Sequence, residues 1–290
     1  MLRLLIRVNA HQQAEHCCEK AVHVNGNDFV SRYGPVALVT GASSGIGQSF
    51  AEQLAAMGLD VVLVARRESL LGELASRLRA EHGVEVTVCS ADLAEVTATA
   101  SILDATSGLD IGLVVSNAGY GFKGEHSAMD PAELADMVTV NCTTPMLLTR
   151  GFIPRLRARG RGGIIVTSSI EALLGCPYST AYSSSKAFLN SLGEGLWGEL
   201  TPEGIDVLTI CPGATDTEAL RRSGIDPATM NNVMSPDEVV TLTLDNIDNG
   251  PTLFPSDHHK AVFDQLLSIP RRDALTAMAR GMKVNSVQPN

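Results

Sequence analysis

The chain has 290 residues, 44% of them hydrophobic and 19% charged, a composition that suits one large globular domain with a sizeable core. Its net charge of −10, without a basic run, argues against nucleic acid or an anionic membrane as the main partner. No apolar run approaches the roughly 18 residues of a membrane span, and the six cysteines show no framework spacing. We therefore predict a cytoplasmic protein with reduced thiols and no membrane span.

Residues 1–33 differ in pattern from the rest of the chain. Their apolar run at 4–6 is too short for a secretory signal. Four neighbouring histidines and cysteines among them match no zinc-binding spacing and predict no metal site. These residues are His11, His16, Cys17 and Cys18. We expect a loosely ordered N-terminal extension.

From residue 34 onward, short apolar runs alternate with stretches of helical periodicity. Strands are predicted at 36–39, 61–65, 84–90, 111–116, 163–167 and 207–211. Strands that alternate with helices indicate βαβ units, so the predicted fold class is α/β, a doubly wound parallel sheet with helices on both faces. No Pro/Gly/Ser linker interrupts the pattern, and we predict a single domain over 34–290 with C-terminal lid and tail segments.

A glycine-rich segment directly follows the first predicted strand and opens the first helix. Its glycines permit a tight turn, and a helix N-terminus attracts phosphate, so this position predicts a dinucleotide-binding loop. A plain turn is the alternative. The predicted binding residues are Gly41, Ser43, Ser44, Gly45, Ile46 and Gly47.

The end of the second strand bears on the choice of cofactor. An NAD site places a carboxylate there, whereas an NADP site places an arginine near the 2′-phosphate. The chain has Ala65 followed by Arg66 and Arg67, which favours NADP(H). The alternative is a solvated helix start, but cations at a helix N-terminus oppose its dipole, and we expect a compensating anion.

Tyr182 and Lys186 are spaced to share one face of a helix that Thr180 is predicted to cap. An ammonium beside a phenol lowers the pKa of the phenol, as a tyrosine that moves protons at neutral pH requires. By itself this pair is a weak signal, because any amphipathic helix can carry it on its surface.

Two further polar positions are candidates. Pro145 clashes with the carbonyl four residues earlier, so the helix that carries Asn141 should bend and leave the Asn141 carbonyl to water. Ser168 and Ser169 end a strand, at the edge where open parallel sheets bind ligands. The alternatives are an accidental kink and ordinary turn-forming serines.

Together these segments resemble the short-chain dehydrogenase/reductase superfamily in its single-domain Rossmann form, over about residues 34–255. Besides the glycine loop, the matching segments are Asp92, Asn117-Ala118-Gly119, the tetrad Asn141, Ser169, Tyr182 and Lys186, and Pro212-Gly213 with Thr217. The sequence departs at Ser116, where the family often has asparagine, and in the first 33 residues.

The resemblance implies a role for each catalytic residue. Tyr182 would be the general acid/base, and Lys186 would lower its pKa and bind the nicotinamide ribose. Ser169 would bind the substrate oxygen, and the main chain of Asn141 would hold a relay water. In the cofactor site that the resemblance implies, Asp92 would contact the adenine. The segment Asn117, Ala118 and Gly119 would brace the central sheet beside the cofactor. The nicotinamide carboxamide would be held by Pro212, Gly213 and Thr217.

Three functions are compatible with these residues. The first is NADP(H)-dependent reduction of a carbonyl or oxidation of an alcohol. The second is a non-catalytic NADP(H)-binding sensor or scaffold, which has no need for an intact tetrad. The third, epimerisation or dehydration, usually needs a larger C-terminal substrate domain than the residues after Thr217 provide.

The predicted pocket wall is mostly apolar, with Glu171 and Lys123 as the nearby charges, and this favours a lipophilic ketone or aldehyde over a sugar or charged acid. The alternative is that the leucines of this wall face the core. The wall residues are Ala172, Leu173, Leu174, Cys176, Pro177, Tyr178 and Phe122. The segment 214–235 should cover the site.

Glycines at 193, 195 and 198 on the Tyr182 helix, together with the resemblance, predict a homodimer or homotetramer.

Overall fold

The computed structural model describes residues 26–223 and 226–285. Within them, parallel strands form one sheet in the order β3-β2-β1-β4-β5-β6-β7. The strands are β1 (Val36–Thr40), β2 (Asp60–Ala65), β3 (Val86–Ser90), β4 (Ile111–Ser116), β5 (Gly162–Thr167), β6 (Ile205–Ile210) and β7 (Thr252–Leu253). The predicted doubly wound α/β fold is confirmed.

Helices cover both faces of the sheet. They are α1 (Gly26–Tyr33), α2 (Gly45–Ala56), α3 (Glu68–His82), α4 (Ala98–Ala105), α5 (Pro131–Val138), α6 (Thr144–Arg159), α7 (Thr180–Leu200), α8 (Glu218–Arg222), α9 (Pro236–Leu244), α10 (Asp257–Ser268) and α11 (Arg271–Asn285). Side chains of a strand alternate between faces, so Ala37 and Val39 of β1 enter one core and Leu38 enters the other. This two-sided burial explains the continuous apolar runs.

Helix α1 corrects the expectation of a loosely ordered extension as far as residues 26–33 are concerned. Phe29 and Tyr33 are almost fully buried. The Tyr33 hydroxyl donates to Asp206 Oδ2 at 2.7 Å, and Arg32 pairs with the same carboxylate. Tyr33 reaches the sheet because Gly163 has no side chain there. Residues 1–25 lie outside the described residues. They include His11, His16, Cys17 and Cys18, for which the sequence predicts no metal site.

The last two helices pack over the segment that follows β5. Ile170, Leu174 and Cys176 form a small apolar cluster with Phe263 of α10 and Ala274 of α11. The two helices thus shield the segment after Ser169 from solvent on one side.

Among the described residues, no helix has the length and apolar character needed to cross a bilayer.

The glycines of α7 do not share one role. A Cβ at Gly193 would collide with the Thr209 hydroxyl of β6, so this glycine serves packing of α7 on its own sheet. Gly195 and Gly198 have open space around them instead. Of the three glycines behind the oligomer prediction, these two remain available to a neighbouring chain.

Candidate active site

The glycine loop has the shape of a phosphate cradle. Gly41 and Gly45 adopt φ of 70° and 56°, in the left-handed region that favours glycine, and α2 begins at Gly45. A Cβ at Gly47 would collide with the Gly41 carbonyl. The Asn117 amide braces the loop by donating to the Thr40 carbonyl at 3.1 Å. A compact turn ahead of a helix N-terminus fits a dinucleotide pyrophosphate.

Arg67 lies across this loop. Its Nη2 donates to the hydroxyls of Ser43 and Ser44 at 3.0 and 2.9 Å. Its Nη1 donates to both carboxylate oxygens of Glu218, at 2.8 and 3.1 Å. Glu218 is therefore the compensating anion that two arginines at a helix start led us to expect. Nothing in the sequence identified it, because 151 positions separate the partners.

Arg66 points to the other side of the same edge. Its side chain is largely exposed, and its Nη1 lies 3.9 Å from Asp92 Oδ2. Asp92, the residue predicted to contact adenine, also accepts a hydrogen bond from the Ala94 N–H at 3.1 Å. The two arginines and this carboxylate thus surround the position beyond β2 and β3 where the adenosine half of a dinucleotide would lie.

Asn141 lies in a π-helical turn over Thr139–Thr143, so the bend expected near Pro145 takes the form of a π-bulge. Its fully buried side chain accepts from the Tyr120 N–H at 3.1 Å and donates to the Tyr120 carbonyl at 2.8 Å. The amide also donates to the Ser185 hydroxyl at 3.0 Å. Asn141 therefore ties the loop after β4 to α7. Its main-chain role toward a relay water stays a prediction.

Tyr182 and Lys186 lie one turn apart near the start of α7, as predicted. The Lys186 Nζ is buried, donates to the Thr167 carbonyl at 2.8 Å, and lies 5.6 Å from the centroid of the Tyr182 ring. A Cβ at Gly121 would collide with that ring, and one at Gly119 would meet Lys186 Nζ. Glycines in the loop after β4 therefore allow it to close over both side chains.

The pKa values of this pair differ from the expectation. Burial raises the pKa of Tyr182 above its usual range, the Glu171 carboxylate raises it further, and the nearby Ser169 hydroxyl lowers it. Burial lowers the pKa of Lys186 to about 8. The predicted lowering of the tyrosine pKa is thus not found in the chain alone, because desolvation of the phenolate is the largest effect on this pKa.

The two serines after β5 have separate functions. The Ser168 hydroxyl donates a hydrogen bond to the Lys186 carbonyl at 2.8 Å and so ties the end of β5 to α7. Ser169 has extended backbone, and its hydroxyl accepts from the Glu171 N–H at 3.2 Å. Only Ser169 of the two hydroxyls therefore remains for a substrate oxygen.

The segment after β6 meets the glycine loop. The Pro212 carbonyl accepts from the Ile170 N–H at 2.9 Å, and the His259 ring packs where a side chain at Gly213 would be. Thr217 caps α8 through a bond from the Leu220 N–H, and its methyl group lies against Gly45. Of the residues predicted for the carboxamide, Thr217 thus borders the cofactor loop.

A charged network beside Tyr182 was missed by the sequence reasoning, which had noted its charges only as neighbours of the pocket. Lys123 Nζ donates to Glu171 at 2.6 Å and to the Ser179 hydroxyl at 2.8 Å, and it lies 5.5 Å from the Tyr182 ring centroid. Ser179 donates to the other Glu171 oxygen at 2.6 Å. This network joins the loop after β4 to the segment after β5.

Part of the predicted pocket wall faces elsewhere. Leu174 and Cys176 are buried against α10 and α11, and Leu173 packs on the same cluster, so these three residues belong to a core rather than to the site. A narrow cleft beside Tyr182 has a different lining, in which apolar and polar side chains are mixed. It consists of Phe122, Gly124, His126, Met129, Leu134, Met137, Tyr178, Thr180 and Ala181.

In residues 26–223 and 226–285, no cluster of three potential metal ligands was found.

Comparison with known proteins agrees with this geometry. The sequence pattern of the family described as short chain dehydrogenase matches residues 35–227. The 7beta-hydroxysteroid dehydrogenase of Clostridium sardiniense is 28% identical over 254 residues, covering 87% of this chain and 97% of that one. Very-long-chain 3-oxoacyl-CoA reductase-A of Danio rerio is 31% identical over 232 residues, covering 78% and 72%.

A solved short-chain dehydrogenase from Sphingobium yanoikuyae in complex with NADPH has a similar fold, with a TM-score of 0.75 and 34% identity. The match covers 89% of this chain and 98% of that one. Fold and site define an oxidoreductase that binds a nicotinamide cofactor. The chain belongs to the short-chain dehydrogenase/reductase family, and the predicted resemblance is confirmed.

Proposed function

We propose that this protein reduces a lipophilic ketone or aldehyde with NADPH. The observation that carries the proposal is the convergence of Ser169, Tyr182 and Lys186 beside a narrow cleft whose wall includes Phe122, Met129, Leu134 and Met137. The bound nicotinamide supplies the hydride. The chain's own part is to hold the carbonyl, to exclude water and to provide a proton.

Tyr182 acts as the proton donor to the carbonyl oxygen, and Ser169 holds that oxygen by a hydrogen bond. A phenol whose pKa is raised by burial keeps its proton at neutral pH, which is the state that reduction requires. Lys186 holds the nicotinamide ribose and favours the phenolate left after proton transfer. Asn141 keeps the loop after β4 in place and binds a relay water through its main chain.

The preference for NADP(H) rests on the two arginines after β2. Arg67 is already oriented over the glycine loop by Ser43 and Ser44, and Arg66 lies beside Asp92. No carboxylate follows β2 in the sequence at the position where an NAD site uses one. The NADPH complex of the Sphingobium yanoikuyae relative supports the same cofactor.

The preference for a lipophilic substrate rests on the lining beside Tyr182, where Phe122, Met129 and Met137 face the cleft. The charges nearby, Lys123 and Glu171, neutralise one another, so that Lys123 is not free to bind a substrate acid. Two relatives are named for lipophilic substrates, a hydroxysteroid and a very-long-chain acyl compound. Both names agree with an apolar pocket.

The test is NADPH consumption with a panel of substrates. We expect a higher kcat/KM for cyclic or long-chain ketones than for sugars and short polar keto acids, and a lower activity with NADH. Faster turnover of the polar set would overturn the proposed substrate class. Cofactor binding without turnover of any carbonyl would instead support the sensor or scaffold alternative.

A further inference from the structure

A second, wider groove lies between α11 and the segment that precedes α7. It has a volume of about 490 Å³, within the range of small-molecule sites. Its walls are formed by Tyr178, Arg272, Leu275, Thr276, Ala279 and Arg280. These α11 residues recur at helical spacing, so one face of a single helix presents an apolar strip with a guanidinium at either end.

The two guanidiniums are available to a ligand. Arg272 and Arg280 are exposed, and neither pairs with a carboxylate within 4.0 Å among the residues that the structure describes. The sole acidic residue of α11, Asp273, does not line the groove. Eight residues of helix separate the arginines by about 12 Å, so each can contact a different part of one elongated ligand.

Tyr178 connects this groove with the active site. It lines the groove and also the narrow cleft that contains Tyr182. Its backbone adopts a φ of 60°, rare for a residue other than glycine, and its carbonyl accepts from the Gly124 N–H at 2.8 Å. Its position between the two spaces is therefore held by the loop after β4.

We propose that the groove binds an anionic group at the end of the substrate, with Arg272 and Arg280 as specificity-determining residues. This inference rests on the proposed function and narrows it to an amphiphile. The lipophilic part carries the carbonyl at Tyr182, and a carboxylate or phosphate lies in the groove. Guanidiniums bind such oxyanions through paired hydrogen bonds, and the apolar strip of Leu275 and Ala279 covers the adjoining carbon chain.

The experiment compares ketones of one carbon skeleton that end in a carboxylate, a phosphate or a methyl ester. We expect the charged forms to have a KM about tenfold below that of the ester, as an exposed charge-assisted contact would give. Arg272→Gln and Arg280→Gln should remove most of this difference and leave kcat nearly unchanged, because the contact is equal in the ground and transition states. The charged form with the lower KM identifies the natural group.

Arg271→Gln is the matched control, because Arg271 precedes Arg272, is exposed and does not line the groove. It should change none of the three KM values. Equal KM values for acid and ester, or equal effects of all three substitutions, would overturn the inference while the proposed reduction stands. If no ketone is reduced but calorimetry shows that the acid binds and that Arg272→Gln weakens this binding, then the groove assignment holds and the proposed function fails.

Discussion

Arg67 donates from Nη1 to both carboxylate oxygens of Glu218, and this ion pair joins the cofactor loop to the first turn of α8. Both partners keep about two-fifths of their side-chain surface exposed, with 36% for Arg67 and 41% for Glu218. The guanidinium lowers the pKa of the Glu218 carboxyl, so the acid is ionised at neutral pH. Under the proposed function Arg67 also binds the 2′-phosphate of NADP(H), and the Glu218 carboxylate would then compete with that phosphate for Arg67 Nη1.

We predict that Glu218→Gln tightens NADPH binding. The carboxylate competes with the phosphate for Arg67 and repels it, whereas the neutral amide binds Arg67 more weakly and does not repel the phosphate. An exposed pair is worth at most about 1 kcal/mol, so the Kd for NADPH should fall by up to about fivefold while the Kd for NADH stays the same. Fluorescence titration measures both. Glu203→Gln, which removes a surface pair with Arg157 at the opposite edge of the sheet, is the control.

Arg67→Ala should have the opposite effect. Loss of a charge-assisted contact to the phosphate costs about 1.5–3 kcal/mol, which corresponds to a rise of roughly 10- to 150-fold in the Kd for NADPH. The Kd for NADH should change little, because NADH carries no 2′-phosphate. Equal affinity of the unaltered protein for both cofactors would contradict the assignment, whatever the variant does.

These partners illustrate which contacts can be predicted from the sequence. The glycine loop and the Tyr182–Lys186 pair are local patterns, and their spacing alone brings them together on a turn or a helix. Asn141 follows from the kink that Pro145 imposes on its helix, and Ser169 from the rule that the loops after parallel strands meet at one edge. Glu218 and the Lys123–Glu171 pair join segments distant in sequence, and no periodicity relates them.

Three errors have a common physical cause, which is packing between segments that are distant in the sequence. Leu174 and Cys176 were placed in the pocket wall, but the face that an irregular segment presents depends on what packs against it, here α10 and α11. The pKa of Tyr182 was predicted from its charged neighbour, whereas burial, which the sequence does not reveal, has the larger effect. Residues 26–33 were misjudged because α1 is stabilised by tertiary contacts to Asp206.

Tyr182→Phe should abolish turnover and leave the Kd for NADPH nearly unchanged. The substitution removes the hydroxyl and its proton but keeps the ring that packs against Gly121. Measurement of kcat together with a fluorescence titration separates the two effects. Ser184→Ala, on the exposed side of the same turn, should retain full activity. Substantial activity in Tyr182→Phe would mean that another group supplies the proton.

We predict that the protein associates with further copies of itself through the exposed side of α6 and α7. Phe188 is 38% exposed, and Met146 and Leu147 of α6 are exposed to a similar degree. We expect light scattering at micromolar concentration to give a multiple of the single-chain mass, and Phe188→Glu to lower it. Val262→Glu is matched in type and exposure but lies on α10. Dissociation by Val262→Glu alone would move the interface to α10, and a single-chain mass for the unaltered protein would refute self-association.

Lys186→Met should inactivate the enzyme and yet stabilise its fold at pH 7. Burial lowers the pKa of Lys186 from 10.5 to about 8, so the charged form costs up to about 3 kcal/mol of unfolding free energy at pH 7. Loss of the bond to the Thr167 carbonyl offsets part of this gain, and we expect a net increase of about 1–2 kcal/mol.

The pH dependence of that increase identifies its cause. Between pH 8 and 10.5 the unfolded chain binds more protons at Lys186 than the folded protein does, so the stability of the unaltered protein rises with pH across this window. Lys186→Met lacks this titration, and the difference in unfolding free energy should shrink from pH 7 to pH 10. Urea unfolding at both pH values measures it, with Lys260→Met, which removes a surface pair with Asp264, as the control. A variant that is less stable at pH 7, or a difference that does not change with pH, would show that the buried charge is not destabilising.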